Sequence, residues 1–311
     1  MCRPFFLKES TMKFRADHHF VIGGDHVTYG KPCQDHALSQ ADDGMAAVVV
    51  SDGCSSGGET DMGARLTTFL LMQTIRELDK GNLGQESIFA SRHAAFSAAA
   101  TLLGLRETDT LATLLYAYLA PSGGHVYLQG DGVVARELRD GTVMLSRFDW
   151  ANNMPFYPAY ADSVNGNSER FVLAHGGDPS ARLFTAEHWV RSPGSLWTKA
   201  SEEASSLQDG MKGVSIAFDA AAMEETSAVA VFTDGVTSVS GVDWKDAVLR
   251  LLDFKTTEGA FMKRRLSRAL KEFGKDGNGP RDDLACAVVL IAHDKKGGTD
   301  ECIETTAETL A

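Results

Sequence analysis

Four apolar runs rich in β-branched residues each carry an aspartate at one end. VVVSDG ends at Asp52–Gly53, YLQGDG at Asp131–Gly132 and VAVFTDG at Asp234–Gly235, while RDDLACAVVLIA opens at Asp282–Asp283. Short apolar runs bounded by turn residues read as buried strands. In an antiparallel sheet the C-terminal ends of some strands lie beside the N-terminal ends of their neighbours. Four acids far apart in sequence can therefore converge on one rim. Like charges gathered there repel one another unless a cation neutralises them, so the pattern points to a metal site. A single Asp–Gly after a strand is an ordinary turn signature, and Asp43–Gly44 and Asp140–Gly141 are read that way. Four in ordered succession on buried runs are not.

The remaining pattern alternates strands with pairs of helices. A strand is expected at Met45–Val50, then a helix from about Thr60 to Leu78 whose middle, Phe69–Met72, is apolar all round. A second helix follows, with Phe89, Phe96 and Leu103 on one face. Leu111–Leu119, His125–Gln129, Val133–Leu138 and Thr142–Leu145 read as a meander. Between Ser146 and Gly210 the pattern weakens, with one strand expected at Phe171–Ala174. Strands at Gly213–Phe218, Ser227–Phe232 and Leu284–Ala292 frame helices at Trp244–Leu252 and Glu258–Phe273. Strand runs interrupted by helix pairs indicate an α+β fold with helices packed on antiparallel sheets. Residues 1–17 read as an N-terminal lead, 18–293 as a single catalytic domain and 294–311 as a polar tail.

Composition narrows the function. At 311 residues and 43% hydrophobic the chain can bury a sizeable core. A net charge of −12 argues against nucleic acid or an anionic membrane as partner. The cysteines Cys2, Cys33, Cys54, Cys286 and Cys302 are odd in number and form no CxxC, which favours a reduced protein over a disulfide or zinc scaffold. No run approaches the ~18 apolar residues of a membrane span, and Phe5–Leu7 is too short for a secretory core. The expected location is the cytoplasm.

Carboxylates without histidine or cysteine ligand spacing suit hard cations such as Mg²⁺ or Mn²⁺. Two such ions about 3.5–4 Å apart can activate a water for in-line attack on phosphorus. The glycine after each acid is expected to let a phosphate approach the backbone.

The motifs GKPCQDH, VVVSDGCSSGGETDMGA, LATLLYAYL, LQGDGVVAREL, FTDGV and RDDLACAVVLI, in this order from about Val21 to Ala292, resemble those of the protein phosphatase 2C family, in particular its bacterial-type branch. The resemblance implies a β-sandwich flanked by helix pairs (four layers, α-β-β-α). It implies hydrolysis of phosphoserine or phosphothreonine in proteins by a water between two Mg²⁺ or Mn²⁺ ions. Carried over, Asp52 bridges the two metals, with the Gly53 carbonyl on one. Asp234 and Asp282 complete the other ion, and Asp35 lies close by. Asp131 corresponds to an acid that helps hold a third ion in some relatives, while Ser238 stands where some carry a further acid. Thr113 matches a threonine near the site, and Asp282 is favoured over Asp283 because it follows Arg281. Gln34 replaces the usual glutamate beside the second metal, Cys54 a histidine of animal members, and Gly30 the phosphate-gripping arginine, for which Lys31 or His26 can substitute. These departures leave an alternative, a catalytically silent module that binds a phosphoprotein or a kinase. A metal-dependent nuclease ranks third because of the negative charge.

Overall fold

The computed structural model describes residues 12–42, 44–79, 87–161, 167–275 and 279–293. In chain order these form β1 (Met12–Val21), α1 (Gly24–Tyr29), β2 (His36–Ala41), β3 (Ala46–Ser51), α2 (Thr60–Asp79), α3 (Ser87–Leu103), β4 (Leu114–Ala120), β5 (Gly123–Gln129), β6 (Gly132–Leu138) and β7 (Val143–Trp150). There follow α4 (Asn167–Ala174), β8 (Phe184–Arg191), β9 (Thr198–Ser205), α5 (Leu207–Lys212), β10 (Val214–Asp219), α6 (Ala220–Glu225), β11 (Thr226–Phe232), α7 (Trp244–Leu252), α8 (Phe261–Gly274) and β12 (Leu284–His293). The strands pair antiparallel into a 7-stranded sheet, β1-β12-β11-β6-β7-β8-β9, and a 5-stranded sheet, β10-β5-β4-β3-β2.

The uninterrupted apolar runs follow from burial on both faces. On β3, Val48 and Val50 point into the core between the sheets, while Ala47 and Val49 pack against Leu71, Met72 and Ile75 of α2. On β11, Val229 and Val231 point inward, and Ala230 and Phe232 meet Val248, Leu251, Leu266 and Phe273 of α7 and α8. Successive side chains of a strand face opposite ways, so both layers of helices demand apolar residues at every position. The result is the α+β four-layer sandwich that the motifs imply. Each fully buried Val or Leu stabilises by ~1.5–3 kcal/mol, enough in sum to tolerate repulsion at one acidic rim.

Several expectations change. Residues 12–17, read as part of the lead, belong to β1, which pairs with β12 from Met12↔His293 to Val21↔Leu284. Phe69 is 57% exposed, so α2 is not buried all round, and Leu103 at the end of α3 is 53% exposed. The side chain of Phe89 lies outside the described residues, as do residues 1–11, the polar tail from 294, and Cys2 and Cys302. The segment Phe171–Ala174, expected as a strand, lies in α4 and buries Phe171. The hairpin β8–β9 was not expected, because β9 is largely exposed and its polar residues give no apolar alternation.

The expected meander breaks at residue 130. β4 and β5 belong to the smaller sheet, β6 and β7 to the larger. Gly130 (φ +112°) and Gly132 (φ +142°) take backbone conformations that L side chains rarely adopt, which lets the chain cross between sheets. Asp131 is the residue at the crossing. Trp150 seals it from below, its indole Nε1–H donating to the Gly130 carbonyl at 2.8 Å.

Candidate metal centre

Register brings the acids together. β2 and β3 pair with His36 opposite Ser51, so Asp35 just before β2 and Asp52 just after β3 sit side by side. β11 and β12 pair with Phe232 opposite Cys286, which sets Asp234 beside the chain entering β12. The Thr233 hydroxyl donates to Asp35 Oδ2 at 2.6 Å, linking the two sheets. The Asp52 carboxylate lies near those of both Asp35 and Asp234, close enough for their charges to act on it. Thr113, fully buried on the strand side, holds Asp52 from behind. Its hydroxyl accepts the Asp52 N–H at 2.9 Å, and its own N–H donates to the Asp52 carbonyl at 2.8 Å. Thr113 is thus placed as a backbone clamp rather than as a group facing phosphate.

Burial makes this cluster electrostatically unfavourable on its own. Desolvation, reinforced by the neighbouring carboxylates, holds Asp52 and Asp131 well above the ordinary carboxylate range. Asp35 is raised in the same way, although its bonds to Thr233 and Asp52 pull against burial. Asp234 is pushed up to about 6, by burial first and then by the charge of Asp282, with Arg147 partly offsetting. Among the described residues, Asp35 Oδ1, Asp131 Oδ1 and Gln34 Oε1 are buried without a hydrogen-bond partner. No three His, Cys, Asp or Glu side chains among those residues close into a finished cage. The set therefore consists of paired carboxylates and orphaned oxygens, all of them hard donors, and it fits Mg²⁺ or Mn²⁺ rather than a thiophilic metal.

The adjacent acids separate cleanly. Asp283 is buried, and its carboxylate accepts the Gly23 N–H at 2.7 Å, the Gln34 N–H at 2.5 Å and His26 Nδ1–H at 2.8 Å. It is a tie between the start of β12 and the segment from 23 to 34. Asp282, with a 44% exposed side chain, opens instead into a cavity of about 550 Å³ shared with Lys31, Tyr29 and Arg281. His26, a candidate phosphate ligand, is spent on Asp283. Its Nε2 reaches the cavity edge, 3.9 Å from Asp282. Lys31 is exposed, its ammonium donating to the Ser55 carbonyl at 2.8 Å. Gly30 caps α1, a helix not expected from the sequence.

Gln34 is oriented by its neighbours. Its Nε2 donates to the Thr60 hydroxyl at 2.6 Å, and that hydroxyl donates to the Cys54 carbonyl at 3.1 Å. Because the Thr60 proton is already used, the amide face toward it must be the donor, which turns Oε1 away unpartnered. Cys54 meets the Tyr157 hydroxyl, whose ionisation burial strongly opposes. Trp150, Phe156 and Tyr157 are buried and cap the sandwich, with Trp150 and Phe171 ring centroids 5.6 Å apart.

Packing demands glycine beside two of the acids. A Cβ on Gly53 would lie 2.6 Å from the Thr60 carbonyl oxygen, and one on Gly235 only 1.7 Å from that of Asp283. Gly235→Ala is expected to destabilise the protein by about 3 kcal/mol or more, read as a lowered urea midpoint. An unchanged midpoint would refute this packing.

A sequence profile of the protein phosphatase 2C family matches residues 22–272. The chain belongs to the protein phosphatase 2C family. No curated protein matches it. Among solved structures, a bacterial serine phosphatase carrying an arginine-to-lysine substitution has 11% identity over 91% of this chain and 99% of its own, with a TM-score of 0.50. A C. elegans sex determining protein has 11% identity over 89% of this chain and 65% of its own, also with a TM-score of 0.50. The catalytic domain of the serine/threonine protein phosphatase PstP, in complex with 2 manganese ions, has 16% identity over 91% of this chain and 100% of its own, at a TM-score of 0.47. At such identities the likeness is one of fold. Among the described residues of this member, no helix is long and apolar enough to cross a membrane.

Proposed function

We propose that the chain is a Mg²⁺- or Mn²⁺-dependent phosphatase acting on phosphoserine or phosphothreonine in proteins. The observation that carries the reading is the strand register that brings Asp35, Asp52 and Asp234 onto one rim, at a place where burial opposes their charge. Asp52 would bridge two cations, with the Gly53 carbonyl on one. Asp234 and Asp282 would complete the other, with Asp35 alongside. Asp131, orphaned at the sheet crossing, is the candidate for a third. Bound divalent ions supply Lewis acidity and a water acidic enough to attack near neutral pH. The chain's own groups fix the geometry: Thr113 clamps the Asp52 backbone, and Thr233 orients Asp35. The cavity beside Asp282 would admit the phosphorylated side chain, and a cognate kinase would supply that substrate. The free cysteines Cys33, Cys54 and Cys286 suit a reducing compartment such as the cytoplasm.

Manganese calorimetry beside hydrolysis of p-nitrophenyl phosphate and a phosphoserine peptide tests this reading. Two ions bound with turnover are expected, and full activity in EDTA would overturn it. Gln34 favours the second reading, a silent binding module, to which one ion or none without turnover would point. Gln34→Glu places a negative oxygen where the orphaned Oε1 now lies, and is expected to tighten Mn²⁺ about tenfold, ~1.4 kcal/mol. Unchanged calorimetry would show that Gln34 does not face an ion.

A further inference from the structure

A phosphate dianion docked against an acidic rim needs fixed donors besides its cations, and Gly30 stands where the family resemblance implies a gripping arginine. Three cationic side chains lie near. Lys31 is exposed and its ammonium is taken up by the Ser55 carbonyl. Arg281 is 69% exposed and turned to Asp25, 3.1 Å away. Arg147 differs from both. It shares with Asp234, Thr237 and Asn153 a cavity of about 270 Å³, and Thr237 lines both this cavity and the Lys31 cavity. Its side chain is 30% exposed, so it is partly desolvated yet still open to the cavity.

The guanidinium is also held in place. One terminal nitrogen bonds Asp149 Oδ2 at 2.5 Å, and the other lies 3.6 Å from Glu187 Oε1, directly across the strand pair β7–β8. Five N–H donors in a rigid fork cannot all be used by these two contacts, and the remainder can meet a tetrahedral oxyanion in the bidentate manner that lysine lacks. The backbone at Asn153, which lines the cavity, is strained as well. Asn152 (φ +62°) and Asn153 (φ +51°) are consecutive non-glycine residues in the left-handed region, a conformation that persists where surrounding structure imposes it.

We propose that Arg147 is a phosphate-binding residue of this enzyme, gripping the substrate phosphoryl group from the β7 side of Asp234 in place of the arginine absent at position 30. The inference rests on the phosphatase reading above. Binding of inorganic phosphate to the Mn²⁺-loaded protein, measured by calorimetry, tests it without turnover. Arg147→Ala is expected to weaken phosphate at least tenfold while Mn²⁺ affinity stays within about threefold of wild type. Arg147→Lys should recover only part of the loss and raise KM for p-nitrophenyl phosphate more than it lowers kcat. Phenylglyoxal labelling of the unaltered protein, mapped by mass spectrometry, reads the same contact should the alanine variant not fold, and phosphate is expected to protect Arg147. Retained phosphate affinity in Arg147→Ala, or labelling of Arg147 indifferent to phosphate, overturns the proposal alone. A wild-type protein that takes up Mn²⁺ but no phosphate overturns it together with the phosphatase reading.

Discussion

Asp52→Asn is expected to lower metal-dependent phosphate ester hydrolysis by about a thousandfold or more, ~4 kcal/mol in the barrier, while raising the thermal stability of the metal-free protein. The two effects share one cause. Asp52 is a near neighbour of Asp35 and Asp234, and burial holds all three carboxyls above their ordinary range. A folded-state pKa above the unfolded value means that the folded protein binds more protons. Stability is then fully present below the unfolded value and is lost as pH rises through the folded one. For Asp234 that window runs from the usual carboxylate value of 3.8 to about 6. In EDTA at pH 7.5 the rim is therefore a net burden, and the neutral amide relieves ~1–2 kcal/mol of it, a trade of stability against activity common at functional sites. Mn²⁺ should raise the melting temperature of the wild type far more than that of the variant. Because cations compete with protons for these oxygens, activity should fall as pH drops below about 6. Melting curves with EDTA and with Mn²⁺ at pH 5 and 7.5 check the whole set. A variant less stable than wild type in EDTA at pH 7.5 would refute the electrostatic account.

The second large effect divides neighbours. Asp283→Ala is expected to destabilise the fold by about 4 kcal/mol, because it strands two buried backbone N–H groups and His26, and the loss of a buried charged acceptor is among the costlier single changes. Asp282→Ala leaves those bonds intact and removes a half-exposed carboxylate at the cavity, together with the bond it accepts from the Asp283 N–H at 2.9 Å. It should melt within about 1 kcal/mol of wild type yet lose metal-dependent turnover. Chemical denaturation and p-nitrophenyl phosphate hydrolysis on both variants read the contrast. Reversed outcomes would exchange the roles of the two aspartates.

In the string RDDL only the family resemblance, through Arg281, favoured Asp282. Two adjacent acids before a strand have the same composition, and only the pleat decides which turns inward. The architecture was legible because β3, β11 and β12 are covered on both faces, so their runs stand out unbroken. The strands β8 and β9 were not, since an edge hairpin with an exposed outer strand has no apolar rhythm to follow. Asp131 was visible as an acid at a strand end, but not as the residue where the chain leaves one sheet for the other, because a turn glycine and a crossing glycine read alike. Thr233 escaped for another reason. It acts through a hydroxyl bonded to a residue 198 positions away, and no local pattern encodes such a partner.

β12 lies between β1 and β11 in the larger sheet, and the bonds of Asp283 span 249 to 260 residues. During synthesis the ribosome has released almost the whole catalytic rim before the strand that seats it emerges. Until then β1 and β11 present open edges, and the 23–34 segment has no anchor. Closure of so distant a pairing is slow, and open strand edges invite association with other chains. On the phosphatase reading, the emerging polypeptide would stay inert until β12 docks, so hydrolytic competence and completion of the sheet would arrive in the same event.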